Sequence, residues 1–100
     1  MRLFDLHDKE GRVFAFEVNN LFFGRSDVCR AASTIPGARI VRKPKIFSWF
    51  REEVFCEFDV EGVTFVAWEP YGDNSRYWIG PEPPLWVPQI SVVREAFERA

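Results

Sequence analysis

The sequence predicts one α+β domain, mostly β, that spans residues 1–100. Two stretches alternate between apolar and polar positions on either side of short glycine-containing turns, a pattern typical of β-hairpins. Apolar residues recur at helical spacing in two other places, once before a Pro-Gly pair and once near the last residue. We therefore expect a strongly bent antiparallel sheet or a partly open small barrel, with a short internal helix and a C-terminal helix.

The first hairpin is expected at residues 3–18, with its turn at Asp8–Gly11. In its second strand, Phe14, Phe16 and Val18 alternate with Val13, Ala15 and Glu17, so that the two sets occupy opposite faces. Both faces are substantially apolar. This strand therefore predicts packing on two sides or a subunit contact, which leaves a homodimer open.

A short helix is expected next, capped by Ser26 and carrying Asp27 in its first turn, where a negative charge favours the exposed N–H groups. Its apolar positions are Val28, Ala32 and Ile35. The pair Pro36–Gly37 ends it.

The second hairpin is predicted at residues 54–68, around a turn at Glu61–Gly62. Pairing outward from this turn predicts one apolar face and one mixed face. The apolar pairs are Val60 with Val63, Phe58 with Phe65, and Cys56 with Ala67. The mixed pairs are Asp59 with Thr64, Glu57 with Val66, and Phe55 with Trp68.

Two shorter strands are expected at Arg39–Arg42 and Arg76–Ile79, and an extended connector at Gly80–Pro84. Beyond Pro88, the spacing of Ile90, Val93 and Phe97 predicts a last helix.

Composition excludes several classes of function. A net charge of -2 and a pI of about 5.4 give the whole molecule no polyanion-binding character. No apolar run approaches the roughly 18 residues of a membrane helix, and the charged segment MRLFDLHDKE is unlike a signal peptide. We therefore expect a soluble, cytoplasmic protein without membrane association.

The two cysteines, Cys29 and Cys56, lie 27 positions apart and lack the CxxC spacing of zinc and redox sites. They are interpreted first as buried small hydrophobic residues, with a disulfide or a reactive thiol as alternatives.

Groups for catalysis are sparse. His7 is the single histidine, and it is expected to be a solvated residue beside the first turn. No acidic pair has the convergent placement of a glycosidase, and the glycines are isolated rather than clustered before a helix. The sequence predicts a protein that is not an enzyme and that holds no metal or cofactor.

Residues 38–51 combine basic and aromatic side chains without an acid, a pattern suited to single-stranded nucleic acid. The candidate nucleic-acid-binding residues are Arg39, Arg42, Lys43, Lys45, Trp49 and Arg51. Residues 52–61 hold acids but no base, so the favoured interpretation is that neighbouring strands of opposite charge pair with each other.

The segment EPYGDNSRYWIG, residues 69–80, joins a strong turn signal to three aromatic rings. It is expected to be a rigid corner in which Arg76 folds back on Asp73. It is also the candidate protein-binding site, because Trp, Tyr and Arg dominate protein interfaces. The site residues proposed are Tyr71, Asp73, Arg76, Tyr77 and Trp78.

From the first helix onward, the succession of helix and strands resembles the Sm-like β-barrel, and EPYGDNSRYWIGP is similar to blocks in small uncharacterised bacterial proteins, some associated with variant Sm-like folds or toxin-immunity loci. The resemblance implies RNA binding and ring assembly. The segment FDVEGVTFVAWEP lacks the Asp followed shortly by Asn that marks the family, and the first hairpin and last helix are additional.

The function expected from the sequence is a non-catalytic module that binds an unknown protein partner in an immunity or regulatory role. Binding of RNA or single-stranded DNA through residues 39–51 is the alternative.

Overall fold

The computed structural model describes residues 1–19, 24–42, 54–69 and 76–100. Six antiparallel strands form one open sheet in the order β1-β2-β6-β5-β4-β3, accompanied by two helices. The elements are β1 (Leu3–His7), β2 (Val13–Asn19), α1 (Arg25–Ser33), β3 (Arg39–Arg42), β4 (Val54–Val60), β5 (Val63–Trp68), β6 (Arg76–Pro81) and α2 (Ile90–Arg99). The predicted α+β, mostly β class is therefore confirmed.

The first hairpin has the predicted turn. The Asp8 carboxylate accepts hydrogen bonds from the backbone N–H groups of Glu10, at 3.0 Å, and Arg12, at 2.9 Å. Gly11 has a φ of +81°, which a residue with a side chain rarely adopts. A bulge between Leu6 and His7 interrupts the pairing of β1 with β2. The unpaired residue is Phe14, so strict alternation is interrupted inside β2, next to its first residue.

The second hairpin turns at Glu61 and Gly62, whose φ angles of 51° and 80° are those of a tight two-residue turn. Five of the six predicted pairs are confirmed, from Val60 with Val63 to Cys56 with Ala67. The sixth is wrong, because a bulge between Val54 and Cys56 places Val54, rather than Phe55, opposite Trp68. Phe55 is buried instead against Tyr77, with ring centroids 5.0 Å apart.

We call the face of the sheet that packs against the helices the inner face. Its largest buried side chains include Phe16, Phe58, Phe65 and Ile79, and α2 adds Phe97. Two ring contacts join this core, Phe16 with Phe97 at 5.3 Å and Phe58 with Phe65 at 5.6 Å. Burial of these rings supplies the main stabilisation of the fold.

Helix α1 begins two residues earlier than predicted. Gly24, not Ser26, is the N-cap, and the Asp27 carboxylate accepts a hydrogen bond from the Gly24 N–H at 2.8 Å. An acidic residue three positions after the cap can reach back in this way, which explains why the start of the helix lies before Ser26.

Helix α2 has the predicted apolar side and is held to β1 by a charged pair. Arg94 donates to both carboxylate oxygens of Asp5, from Nε at 2.8 Å and from Nη2 at 2.9 Å. The hydrogen bond with Asp5 raises the pKa of Arg94 above its ordinary value. This two-pronged contact joins the helix to the far edge of the sheet.

Cys29 of α1 and Cys56 of β4 form a disulfide, with their Cα atoms 5.8 Å apart. Both residues are buried, as predicted, but the favoured interpretation as separate hydrophobic residues is wrong. Sequence spacing could not reveal the bond, because the two residues meet only when α1 packs on β4.

Within the described ranges, no helix combines the length and apolar character needed to cross a membrane.

Candidate binding pocket on the outer face of the sheet

The outer face of the sheet, opposite the helices, carries a continuous row of side chains across five strands. The register of the sheet aligns these side chains, because each residue pairs directly with the one on the neighbouring strand. In order from β1 to β4 they are Phe4, Glu17, Trp78, Trp68 and Val54. An aromatic row with one carboxylate therefore crosses the middle of the sheet.

Trp78 lies over Gly80, two residues further along β6. A Cβ atom at Gly80 would come within 2.6 Å of Trp78 Cη2 and 2.7 Å of the Ala15 Cβ, closer than real atoms approach. The absence of a side chain at residue 80 thus makes room for the indole. Trp68 meets Trp78 edge to face, with ring centroids 6.2 Å apart and an interplanar angle of 63°.

These two rings line a pocket of about 470 Å³, a volume within the range of binding pockets for small ligands. We call it the tryptophan pocket. Its described lining residues are Phe14, Val54, Val66, Trp68, Trp78, Pro81, Glu82 and Pro84. Among them, Glu82 alone is ionisable.

The position of Phe14 follows from the bulge in the first hairpin. Alternation along β2 predicted that Phe14 would share a face with Phe16, but Phe14 lines the tryptophan pocket while Phe16 is in the inner core. The register shift beside His7 leaves Phe14 without a direct partner in β1, which explains the difference.

A second depression of about 330 Å³ shares Pro84 with the tryptophan pocket. We call it the Trp86 groove. It is lined by Asp8, Lys9, Glu10, Arg12, Pro84, Leu85 and Trp86. The two depressions are therefore neighbours along the connector that follows β6.

The Trp86 groove already contains a cation. The Arg12 guanidinium lies 4.7 Å from the centroid of the Trp86 ring and forms ion pairs with Asp8 and Glu10, each at 3.1 Å. Burial acts to raise the pKa of Asp8, but hydrogen bonds from the Arg12 backbone and side chain outweigh it and hold that pKa below its ordinary value. The groove thus holds an aromatic ring, a cation and carboxylates in contact.

Beside Trp78, the row is charged but internally paired. The Glu17 side chain is 7% exposed and accepts a hydrogen bond from Arg76 Nη1 at 3.2 Å. The Arg76 guanidinium carbon also lies 3.8 Å from the centroid of the Phe4 ring. Arg76 therefore links β6 to β2 and β1 across the outer face.

The residues proposed from the corner at 69–80 separate between the two faces. Trp78 and Arg76 lie on the outer face, while Tyr77 is 6% exposed and packs on the inner side against Phe55. Burial, and then the nearby charge of Glu69, raise the pKa of Tyr77 above its ordinary value. Tyr71, Asp73 and the predicted contact between Asp73 and Arg76 lie outside the described residues.

Other residues of the pocket were not selected from the sequence. For Trp68, the sequence offered one signal, its predicted position at the aromatic end of the mixed face. For Phe14 and Glu82, no sequence pattern indicated a place in the pocket. They reach the pocket through a bulge and through the connector after β6, and neither is encoded by a local pattern.

The basic segment is described only in part. Register places Arg39 opposite Asp59 and Arg42 opposite Glu57, so the basic strand β3 lies beside the acidic strand β4. This arrangement agrees with the interpretation that neighbouring strands balance each other's charge. Lys43, Lys45, Trp49 and Arg51 lie outside the described residues.

The groups considered for catalysis are not brought together. His7 is exposed at the end of β1, while Cys29 and Cys56 are bonded to each other in the core. In the parts of the chain that the structure describes, no three His, Cys, Asp or Glu side chains converge as ligands for a metal ion.

Comparisons of this chain with protein-family models, with curated proteins and with solved structures find no match.

Proposed function

We propose that this protein is a non-catalytic module that binds a segment of another polypeptide on the outer face of its sheet. The observation that carries the proposal is the tryptophan pocket, in which two indole rings, a phenylalanine and two prolines form a largely apolar lining. Aromatic side chains in a concave, mostly apolar site are typical anchors of protein interfaces.

An extended ligand is favoured over a small compact one, because the tryptophan pocket and the Trp86 groove are separate depressions that share Pro84 as a lining residue. Leu85 and Trp86 are 66% and 38% exposed at this junction. Exposed large apolar side chains beside a pocket are typical of contact surfaces. A peptide that lies along the connector would place one side chain in each depression.

An immunity or regulatory role and a variant Sm-like fold remain parts of this proposal. They are supported by the resemblance of residues 69–81 and by the helix followed by four neighbouring antiparallel strands, β3 to β6. Binding of nucleic acid through residues 39–51 is the alternative. The pairing of Arg39 and Arg42 with acidic positions of β4 favours the peptide proposal over it.

Location in the cytoplasm also remains part of this proposal. The disulfide bears on it, because disulfides persist mainly in oxidising compartments. Native cells are lysed directly into denaturant that contains an alkylating reagent, so that the buried cysteines become accessible, and mass analysis then distinguishes reduced Cys29 and Cys56 from the disulfide. Cytoplasmic location predicts alkylated Cys29 and Cys56, whereas a protected disulfide would contradict it.

Peptide display tests the proposed function directly. A random dodecapeptide library is selected against the folded chain, and the selected peptides are synthesised and titrated against the wild type, Trp68→Leu and Trp78→Leu. We expect about ten-fold weaker binding to either variant, since buried aromatic anchors dominate such interfaces.

The matched control is Val41→Ala, which removes an exposed apolar side chain from β3, at the opposite edge of the sheet from the first hairpin. It should leave peptide affinity unchanged. Circular dichroism must show that each variant remains folded. Selection of no peptide, or equal binding by the wild type and both tryptophan variants, would contradict the proposal. Titration with short oligonucleotides at about 50 mM salt tests the alternative, which requires salt-sensitive binding.

A further inference from the structure

We infer that the tryptophan pocket is a cation subsite, which receives a lysine or arginine side chain of the bound polypeptide. The inference rests on the proposed function and specifies its ligand chemistry. It starts from the charge in the pocket: Glu82 supplies a carboxylate, and none of the described lining residues supplies a positive charge.

The other carboxylates near the tryptophan pocket differ from Glu82 because each forms an ion pair with an arginine of the same chain. Asp8 and Glu10 bind Arg12, and Glu17 binds Arg76. Within residues 1–19, 24–42, 54–69 and 76–100, the structure gives the Glu82 carboxylate no ion pair, and only the backbone N–H of Glu82 is engaged, by Thr64 O at 2.9 Å. The Glu82 carboxylate is thus available to pair with a cationic group of a bound ligand.

The rings provide the second half of a cation site. The Trp68 and Trp78 rings are inclined at 63° to each other and both line the pocket, with Phe14 beside them. The π faces of indoles attract ammonium and guanidinium groups, and tryptophan is the most favourable of the aromatic residues in this role. The methylene stem of lysine or arginine would meet the apolar lining from Val54 and Val66.

The Trp86 groove shows the same combination with its cation in place. There, Arg12 lies on an indole ring, pairs with two carboxylates and is adjacent to Pro84. The tryptophan pocket has indole rings, a carboxylate and the same Pro84, but no arginine or lysine among its described lining residues. A cation from the partner would give the tryptophan pocket the same combination of indole, carboxylate and cation that the chain forms by itself in the neighbouring Trp86 groove.

The net charge of -2 is consistent with a basic partner, because complementary charge speeds encounter and aligns the two surfaces. A free quaternary ammonium compound has similar chemistry at its charged end. The neighbouring exposed Leu85 and the adjacent Trp86 groove favour a side chain attached to a peptide backbone.

The test uses blocked tripeptides as probes, Ac-Gly-X-Gly-NH₂, in which X is lysine, arginine, norleucine or glutamate. Binding is followed by NMR through the indole Nε1–H signals of Trp68 and Trp78, assigned with tryptophan-to-phenylalanine variants. We expect the lysine and arginine peptides to shift these signals with a Kd on the order of 1 mM. Norleucine, which has a similar apolar stem without the charge, should bind about five-fold more weakly, and the glutamate peptide more weakly still.

Glu82→Gln should reduce affinity for the lysine peptide about three- to ten-fold and leave affinity for the norleucine peptide unchanged. Its matched control is Glu61→Gln, which makes the same charge change at the exposed turn between β4 and β5, outside the pocket. The control should bind the lysine peptide as the wild type does.

Three results would overturn the inference. Equal affinity for the norleucine and lysine peptides would mean an apolar pocket, and the proposed function would stand if displayed peptides still required Trp68 and Trp78. If no indole signal shifts at about 20 mM peptide, the cation subsite is excluded. The proposed function would then depend on the peptide-display result alone. Tighter binding of tetramethylammonium than of every peptide would assign the pocket to a free ammonium compound instead.

Discussion

The indole of Trp78 occupies the space above Gly80 that a side chain at residue 80 would require, and Ala15 of the neighbouring strand closes the same space. The tryptophan pocket therefore depends on a glycine whose own backbone angles are ordinary. This dependence makes Gly80→Ala a sensitive probe of the pocket.

Gly80→Ala should destabilise the fold by about 1–3 kcal/mol, because the added Cβ would overlap Trp78 Cη2 and the Ala15 Cβ. Urea unfolding measures the loss. In an Ala15→Gly background the same substitution should cost less, since one of the two overlaps is gone. Equal costs in both backgrounds would show that Ala15 does not confine residue 80.

Arg76→Leu should destabilise the protein by about 1–3 kcal/mol, because the largely buried Glu17 carboxylate loses an ion pair. The double variant Glu17→Leu with Arg76→Leu should recover part of that stability, since the buried carboxylate that lost its contact with Arg76 is itself removed. Arg30→Leu serves as the control, because its ion pair with Asp27 is exposed and should contribute less than about 0.5 kcal/mol. A double variant less stable than Arg76→Leu alone would refute this account.

Arg94→Met should cost about 1–2 kcal/mol through loss of the two hydrogen bonds that join α2 to Asp5 of β1. Arg99→Met is the matched control in the same helix, since its pair with Glu95 is exposed and is expected to contribute less than about 0.5 kcal/mol. Thermal or urea unfolding compares the two. Equal destabilisation would mean that helix propensity, not the contact with Asp5, decides the effect.

Reduction of the disulfide should lower the free energy of unfolding by about 3–4 kcal/mol, the loop-closure value for a bridge of 27-residue separation. Unfolding with and without reductant gives the difference. The double variant Cys29→Ala with Cys56→Ala should be insensitive to reductant. Sensitivity that persists in that variant would assign the effect to something other than this bond.

Asp8→Asn should weaken the protein at neutral pH and have less effect in acid. The folded-state pKa of Asp8 lies below the ordinary value of 3.8, so its charged form stabilises the fold above that pH. The contribution is lost as the pH falls through the depressed pKa. Urea midpoints of wild type and variant should therefore converge on acidification. A constant difference from pH 7 to about pH 2 would contradict the role of the charge.

Asp8→Ala separates the charge from the turn. The Asp8 side chain also accepts hydrogen bonds from the N–H groups of Glu10 and Arg12, which asparagine can retain and alanine cannot. Asp8→Ala should therefore be less stable than Asp8→Asn at neutral pH, by the same urea measurement.

Local pattern was sufficient for most of the pairing in the second hairpin. The turn at Glu61–Gly62 and alternation along both strands predicted the register from Val60 with Val63 to Cys56 with Ala67, because pairing outward from a two-residue turn leaves no freedom. It failed at Phe55 and Phe14, where bulges beside the paired stretches changed which face a side chain occupies. A bulge adds one residue to one strand, and neither hairpin contains a local sequence signal for its bulge.

By itself, the sequence determined the strands, the two helices and the apolar residues of the inner core, since each depends on spacing between near neighbours. Only the tertiary structure brought β2 beside β6, thereby aligning Glu17 with Trp78 and placing Phe14 and Glu82 around the two tryptophans. It also joined Cys29 to Cys56. These contacts depend on how distant elements pack, and that packing is set by burial of the whole core rather than by any short segment.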